Sequence, residues 1–256
     1  MIGNSRLHWG GSLGDSLQAW DTDHLPADAL EQLIQQLMSG IWPREIFPPN
    51  WVIQLESTVN IPHLLPLYLA SVVPTQTALW ETYPAVRTIT LDQIPLQGIY
   101  PTLGIDRALA VWGAGVTCGW PVLVIDAGTA LTFTGADTHQ QLIGGAILPG
   151  LRLQLKSLAQ RTAALPEIEL PDRIPQRWAL NTTAAIQSGI LYTVVAGIRD
   201  FITAWWQEFP DSQIVLTGGD RAAILTYLQT QFPQVAAKVT TDPHIIFRGM
   251  QLLGSG

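Results

Sequence analysis

The segment from Pro121 to Thr134 constrains the fold of this chain more than any other part of its sequence. Four consecutive β-formers, Val122 to Ile125, fit a strand that is covered on both faces. Asp126 follows at the end of this strand, and Gly128 and Thr129 then lead into a second apolar run. Such a segment is either an ordinary hairpin, with Asp and Gly as turn formers, or a turn that binds phosphate and a cation. Taken alone, the segment leaves both interpretations open.

Length and composition indicate a globular protein with a substantial core. The 256 residues are 47% hydrophobic and only 13% charged, which excludes a disordered chain. A net charge of -7 and the lack of any basic run disfavour a nucleic-acid-binding protein. The single cysteine, Cys118, excludes an internal disulfide and a thiolate metal cluster. No apolar stretch approaches the ~20 residues that span a bilayer, so we expect a cytoplasmic protein without membrane contact. The ten tryptophans suggest that some lie at an interface.

Hydrophobic periodicity predicts alternating helices and strands along the chain. Short strands are expected at Gln141 to Leu148 and at Ile214 to Leu216, and the prolines at 43, 48 and 49 predict a loop. The predicted helices, each bounded by capping or breaking residues, are Ala27 to Met38, Asp106 to Ala114, Leu151 to Ala164, Thr183 to Phe209, Arg221 to Gln229 and His244 to Leu253.

The start of the chain weakly repeats the segment around Asp126. Residues 1–10 look like the end of a strand, a Gly3-Asn4-Ser5 turn and an outgoing strand. Two such strand–turn–strand segments suggest a duplicated α/β domain. We expect a first domain over residues 1–117, a second over 118–240, and a C-terminal helix over 241–256 that packs back on the first domain.

Three glycine-centred turns each follow a short apolar strand: Gly3-Asn4-Ser5, Asp126 to Thr129, and Thr217 to Asp220. A nucleotide needs backbone donors for its phosphates, a glycine surface for its adenosine, and a carboxylate to place a cation. Neither a P-loop nor the glycine pattern of dinucleotide-binding folds is present, so the turns indicate neither of these common nucleotide folds. The five histidines show no metal-ligand spacing.

A second group of candidate residues surrounds Asp106. In isolation Asp106 is best interpreted as a helix cap and Arg107 as a solvated charge, but after a glycine turn they can supply a base and a fork for a carboxylate. Tyr100 is either half-buried core or a hydroxyl available to a ligand. Asn181 or Thr182 caps the long helix, and capping leaves a neighbouring hydroxyl able to contact a ligand.

Seven short motifs, in this order, resemble those of the type III pantothenate kinases of the acetate-and-sugar-kinase and actin superfamily. The resemblance spans nearly the whole chain, and the motifs are jointly specific although each is short. They are Gly3-Asn4-Ser5; Ser71 to Pro74; Pro101 to Arg107 with Gly113-Ala114; Asp126 to Ala130; Gly144-Gly145 with Pro149-Gly150; Asn181-Thr182 with Ala185 and Gly189; and Thr217 to Gly219.

This resemblance implies two duplicated ribonuclease-H-like (actin-like) domains with a central cleft, and ATP-dependent phosphorylation of pantothenate. It implies that Asp106 is the catalytic base, that Asp126 holds a potassium or ammonium ion, and that Mg²⁺ accompanies the nucleotide. It further implies a homodimer. The implied pantothenate-binding residues are Tyr100, Gly104, Ile105, Asp106, Arg107 and Thr182, and the implied ATP-binding residues are Gly3, Asn4, Ser5, Arg6, Thr129, Gly218 and Gly219.

One departure from the family pattern concerns Met1, which stands where the family has an aspartate at the end of a full apolar strand. Either the true start lies upstream, or this chain works without that carboxylate. The second case keeps open a catalytically degraded accessory or regulatory member of the same fold. A kinase of the same superfamily acting on another small hydroxy acid is a further alternative.

Overall fold

The computed structural model describes residues 1–13, 16–58, 64–162 and 165–254. Packing divides the chain into two units. Unit 1 comprises Met1–Ile94, Pro101–Ala108 and Met250–Gly256, and unit 2 comprises Pro95–Tyr100 and Leu109–Gly249. The domain boundaries expected after residues 117 and 240 remain a prediction.

The described chain contains both strands and helices in mixed order. The strands are β1 (Leu7–Leu13), β2 (Ser16–Thr22), β3 (Leu67–Leu69), β4 (Val86–Thr88), β5 (Val122–Ala127), β6 (Ala130–Ala136), β7 (Leu142–Pro149), β8 (Gln213–Thr217) and β9 (Val239–Thr241). The helices are α1 (Ala27–Met38), α2 (Pro49–Ser57), α3 (Pro74–Trp80), α4 (Ile105–Cys118), α5 (Leu151–Arg161), α6 (Thr182–Glu208), α7 (Arg221–Gln231), α8 (Pro233–Ala236) and α9 (Ile245–Gly254).

Unit 2 is built on a five-stranded sheet with the order β7-β6-β5-β8-β9. The central strand β5 runs antiparallel to β6 and parallel to β8. Val122 to Ile125 are all buried, which confirms the prediction of a strand covered on both faces. One face of the sheet packs against α5, α6 and α7, where Ile125, Leu191 and Tyr227 belong to one core.

Unit 1 repeats this topology around a single residue, Ile2. β1 and β2 form an antiparallel hairpin, and β3 and β4 form a parallel pair. Ile2 forms an antiparallel bridge with Leu7 and a parallel bridge with Ser71, so it joins the two pairs. The resulting order, β2-β1-Ile2-β3-β4, matches β7-β6-β5-β8-β9 in position and direction. The α/β class and the duplication expected from the sequence are therefore confirmed.

The register also identifies the counterpart of Met1. Ile2 pairs with Leu7 just as Ala127 pairs with Leu131, so Met1 corresponds to Asp126. The Met1 side chain is buried, and its α-amino group donates a hydrogen bond to the carbonyl oxygen of His8 at 2.8 Å. Unit 1 thus has a buried methionine at the position where unit 2 has a carboxylate.

Most of the ten tryptophans pack inside the protein. Trp9, Phe47 and Trp80 are buried in the core of unit 1, and Trp9 meets the rings of Phe47 and Trp80 edge-on at 5.4 Å. Trp178 is the exception, because 85% of it is exposed. The other aromatic rings in this unit 1 cluster are Trp20, Trp42 and Trp51.

The observed helices agree with the predicted ones except where proline was interpreted as a loop. α1 has the predicted bounds, and α6 begins and ends one residue before its prediction. α4 begins at Ile105 and extends to Cys118, four residues beyond its predicted end. α5 ends at Arg161, and the last two residues of its prediction lie outside the described residues. The prediction of a loop at Pro48 and Pro49 was wrong, because Pro49 occupies the first position of α2.

Among the described helices, none combines the length and apolar character needed to cross a membrane.

Candidate active site

In unit 1, the first turn of α4 fixes the carboxylate of Asp106. The Ala108 amide donates to the Gly104 carbonyl at 3.1 Å, and the Arg107 amide donates to Asp106 Oδ1 at 2.8 Å. Asp106 therefore lies inside the helix and not at its cap. A Cβ atom on residue 104 would overlap Asp106 Oδ1, so the half-buried carboxylate lies against the bare face of Gly104. The glycine leaves the space that this carboxylate occupies.

The other predicted substrate-binding residues differ in exposure. Arg107 is buried, with 8% of the residue exposed, which excludes its interpretation as a solvated surface charge. Tyr100, in unit 2, is 39% exposed, so part of its surface is accessible to a ligand. Ile105 is buried. Thr182 is exposed at the start of α6, where the side chain of Asn181 accepts a hydrogen bond from the Ala184 amide at 2.9 Å.

In unit 2, Asp126, Gly128 and Thr129 lie at the hairpin between β5 and β6. The Gly128 amide donates to the Ala130 carbonyl at 3.0 Å, so this amide is used within the turn. A Cβ on Gly128 would make only ordinary contacts, 3.5 Å from Ala130 O and 3.6 Å from Asp126 Oδ1. Packing does not require glycine here, and Thr129 is exposed. The geometry is that of an ordinary hairpin in which Gly128 has room for a Cβ.

The turn after β8 packs against the end of β5. Gly218 has a φ of +88°, and a Cβ there would overlap Asp126 Oδ1 and the backbone of Ala127. The amide of Asp220 donates to the Ala127 carbonyl at 2.9 Å. Gly219, by contrast, is exposed and has no atom within 4 Å of a Cβ built on it. Gly218 is therefore required by the fold, whereas Gly219 is not.

The start of α5 is a third segment at this site, and none of its residues is among the predicted site residues. The Gly150 amide donates to the Thr129 carbonyl at 2.9 Å, and a Cβ on Gly150 would overlap Gly128 O. Two residues later, Arg152 Nε donates to Asp220 Oδ1 at 2.8 Å. The available signal was an arginine two residues after Gly150, in a chain with only 13 Lys and Arg residues.

The charges of this ion pair affect the pKa of the buried Tyr227. Burial raises the pKa of Tyr227, the carboxylates of Asp220 and Asp172 raise it further, and Arg152 opposes them. The Tyr227 hydroxyl donates to the Pro171 carbonyl. The phenol thus stays neutral and acts as a hydrogen-bond donor that supports the region behind Asp220.

Asp126 fits the role of a cation ligand through its oxygen chemistry. Carboxylate and carbonyl oxygens are the ligands that hard cations such as Mg²⁺ prefer. Within the described parts of the chain, no three His, Cys, Asp or Glu side chains gather in a group that could hold a metal. A cation at half-buried Asp126 would therefore complete its coordination with carbonyl, water or phosphate oxygens.

The predicted nucleotide-binding residues form two groups, one in each unit. In unit 1 the Gly3 amide donates to the Arg6 carbonyl at 3.0 Å, which closes the turn. Asn4, Ser5 and Arg6 are exposed on that turn. In unit 2, Thr129, Gly218 and Gly219 lie in the two turns at the ends of β5 and β8.

Comparison with known proteins identifies the family. Residues 2–204 match the family model described as type III pantothenate kinase. A type III pantothenate kinase from Nostoc sp. is 53% identical over 267 residues, which cover 100% of this chain and 93% of that protein. One from Synechocystis sp. is 42% identical, with 100% of this chain and 89% of that protein covered.

A solved structure shares the fold at lower identity. A Campylobacter jejuni protein described as a conserved Baf family transcriptional activator superimposes with a TM-score of 0.62 at 18% identity. The superposition covers 99% of this chain and 95% of that chain. The family match, the two relatives and the ordered motifs agree: the chain belongs to the type III pantothenate kinase family.

Proposed function

We propose that this protein transfers the γ-phosphoryl group of ATP to the primary hydroxyl of pantothenate. The product is 4′-phosphopantothenate, and the reaction is the first step of coenzyme A biosynthesis. One observation carries the proposal: in a chain of this family, the Asp106 carboxylate is held in the first turn of α4 by Gly104 and by the Arg107 amide.

Asp106 is the proposed base for the attacking hydroxyl. An ordinary aspartate has a pKa near ~3.9 and is a weak base toward an alcohol. In a loose phosphoryl-transfer transition state, however, the hydroxyl loses its proton late and mainly needs orientation. A carboxylate held by a main-chain hydrogen bond supplies that orientation. The proton therefore passes to a carboxylate oxygen of Asp106 as the new P–O bond forms, and the bond from the γ-phosphorus to the departing ADP breaks.

Pantothenate carries a carboxylate, and Arg107 is the proposed residue that binds it. A guanidinium offers a planar fork of donors to a carboxylate, and burial strengthens such a charge-assisted contact. The exposed Tyr100 and Thr182 contribute hydroxyl groups to the same substrate, and Gly104 and Ile105 contribute main-chain contacts.

ATP is the proposed ligand of the glycine turns. The exposed Thr129 and the open Cβ side of Gly219 support contacts with phosphates and adenosine, and Gly218 supports the turn. Gly3, Asn4, Ser5 and Arg6 form the corresponding turn of unit 1. Asp126 would hold a potassium or ammonium ion. Mg²⁺ bound with the nucleotide would neutralise charge that develops on the transferred phosphoryl group.

Two broader properties belong to the same proposal. We propose a homodimer, which is supported by the exposed apolar side chains of Trp178 and Leu180 just before α6. We also propose a cytoplasmic location, where ATP is supplied. The comparisons give no support to a catalytically degraded accessory protein, which would bind nucleotide without transferring phosphate.

A coupled assay of ADP release tests the function directly. With ATP, Mg²⁺, K⁺ and pantothenate, we expect turnover that depends on pantothenate and falls at least about a hundredfold in Asp106→Asn. The matched control is Asp28→Asn, since exposed Asp28 also lies in a first helical turn, that of α1. It should keep full activity. Wild-type turnover no higher than that of Asp106→Asn would refute the proposal, and a panel of other hydroxy acids would reveal a different substrate.

A further inference from the structure

An ion pair beside the nucleotide turn of unit 2 has a buried partner and an exposed one. Arg152 Nε lies 2.8 Å from Asp220 Oδ1, and the side chains are 68% and 8% exposed respectively. The carboxylate is the fixed partner, because the Asp220 amide and carbonyl both make main-chain hydrogen bonds, to Ala127 O and from Ile224 N. The buried carboxylate therefore determines where the guanidinium lies.

Most donors of this guanidinium remain available. Arginine has five N–H groups in one plane, and Asp220 accepts only the one on Nε. Across residues 1–13, 16–58, 64–162 and 165–254, this is the one hydrogen bond that the Arg152 side chain makes. Four N–H groups on the two Nη atoms are left on an exposed side chain whose orientation is already fixed. A fork of this kind suits contact with a phosphate group.

The position of the pair matches the proposed phosphate turn. Arg152 follows Gly150, whose amide bonds to Thr129, and Asp220 follows Gly218, which packs on Asp126. The pair thus joins the two segments that contact the turn from Asp126 to Thr129. Its cationic partner is the exposed one, so positive charge faces solvent beside this turn.

We propose that Arg152 binds a phosphate group of the nucleotide and that Asp220 acts as a positioning residue for its guanidinium. The inference rests on the proposed function, because it takes ATP as the ligand of this turn. It adds two residues to the proposed site: Arg152, which contacts the nucleotide, and Asp220, which acts by positioning Arg152.

Calorimetric titration with Mg²⁺-ATP tests the role of Arg152. We expect Arg152→Gln to raise the Kd for ATP about tenfold, as expected for loss of one charge-assisted hydrogen-bonded contact. Arg152→Lys keeps the charge but not the fork, and should lie between Arg152→Gln and wild type. Arg161→Gln is the matched control, since exposed Arg161 ends the same helix. It should bind ATP like wild type.

A double-mutant cycle tests the positioning role of Asp220. Asp220→Asn should weaken ATP binding in the wild-type background and cause no further loss when it is added to Arg152→Gln. Additive losses would show that Asp220 does not act through Arg152. Unchanged ATP affinity in both Arg152 variants, measured well below their melting temperatures, would overturn the inference and leave the proposed function intact. Wild-type protein that does not bind ATP at all would instead overturn the proposed function.

Discussion

Gly104 is a residue whose missing side chain serves a neighbouring functional group. A Cβ at this position would overlap Asp106 Oδ1, although the backbone does not otherwise require glycine there. The effect of a methyl group should therefore fall on the carboxylate and much less on the helix. This makes Gly104 a sensitive probe of how accurately Asp106 must be placed.

Gly104→Ala should lower kcat about tenfold to a hundredfold, because a displacement of about 1 Å at a reacting group can cost that much. The KM for ATP should change little. The control is Gly197→Ala in α6, where no atom lies within 4 Å of the added Cβ. Steady-state kinetics of both variants provide the measurement, and an unchanged kcat in Gly104→Ala would show that Asp106 tolerates the shift.

The adjacent glycines 218 and 219 are proposed to have different roles. Gly218 is needed for the fold, and Gly219 is proposed to bind ATP. Gly218→Ala should destabilise the protein by about 1–3 kcal/mol, because its φ of +88° and its overlap with Asp126 both oppose a side chain. Gly219→Ala should leave the melting temperature unchanged but weaken ATP binding, since its open side is the proposed nucleotide surface. Thermal melts and ATP titrations of the two variants test this. Equal ATP affinity of Gly219→Ala and wild type would remove Gly219 from the site.

At the scale of helices and strands, the sequence predicted the elements with clear hydrophobic periodicity. α1 carries buried Leu30, Leu33, Ile34 and Leu37 at helical spacing, and its bounds were predicted correctly. α2 was missed because its first residue, Pro49, lies in a proline cluster that also suits a loop. Its buried Trp51, Val52 and Leu55 hold the helix through tertiary packing, which a local pattern does not reveal.

The site was predictable to the extent that its contacts are local. Gly104 and Asp106 are two residues apart, and the turn at Asp126 follows directly from its strand, so the sequence located both. Arg152 and Asp220 are distant in sequence and meet only because β5, β8 and α5 converge. The contact between Arg152 and Asp220 depends on tertiary structure, so it could not be predicted from local sequence patterns.

At the scale of the whole molecule, one topology occurs twice with different central strands. In unit 2 the centre is β5, whose six residues all pair with β6 and whose first five also pair with β8. In unit 1 the same central position is occupied by Ile2, which bridges β1 and the segment after β3. The proposed phosphate turn of unit 1 therefore follows a single bridging residue, Ile2, which itself follows the buried Met1.

The buried α-amino group of Met1 makes the free energy of unfolding of the 256-residue chain depend on pH. Burial lowers the pKa of the Met1 α-amino group from 8.0 to about 5, so between these values the unfolded chain binds the proton more strongly than the folded one. The free energy of unfolding should consequently rise with pH across this interval, by at most about 4 kcal/mol, and level off above it. Urea unfolding from pH 5 to 8.5 measures the rise. The same chain with an acetylated Met1 lacks the titrating amine and should lose this part of the rise, whereas identical pH profiles for both chains would contradict the linkage.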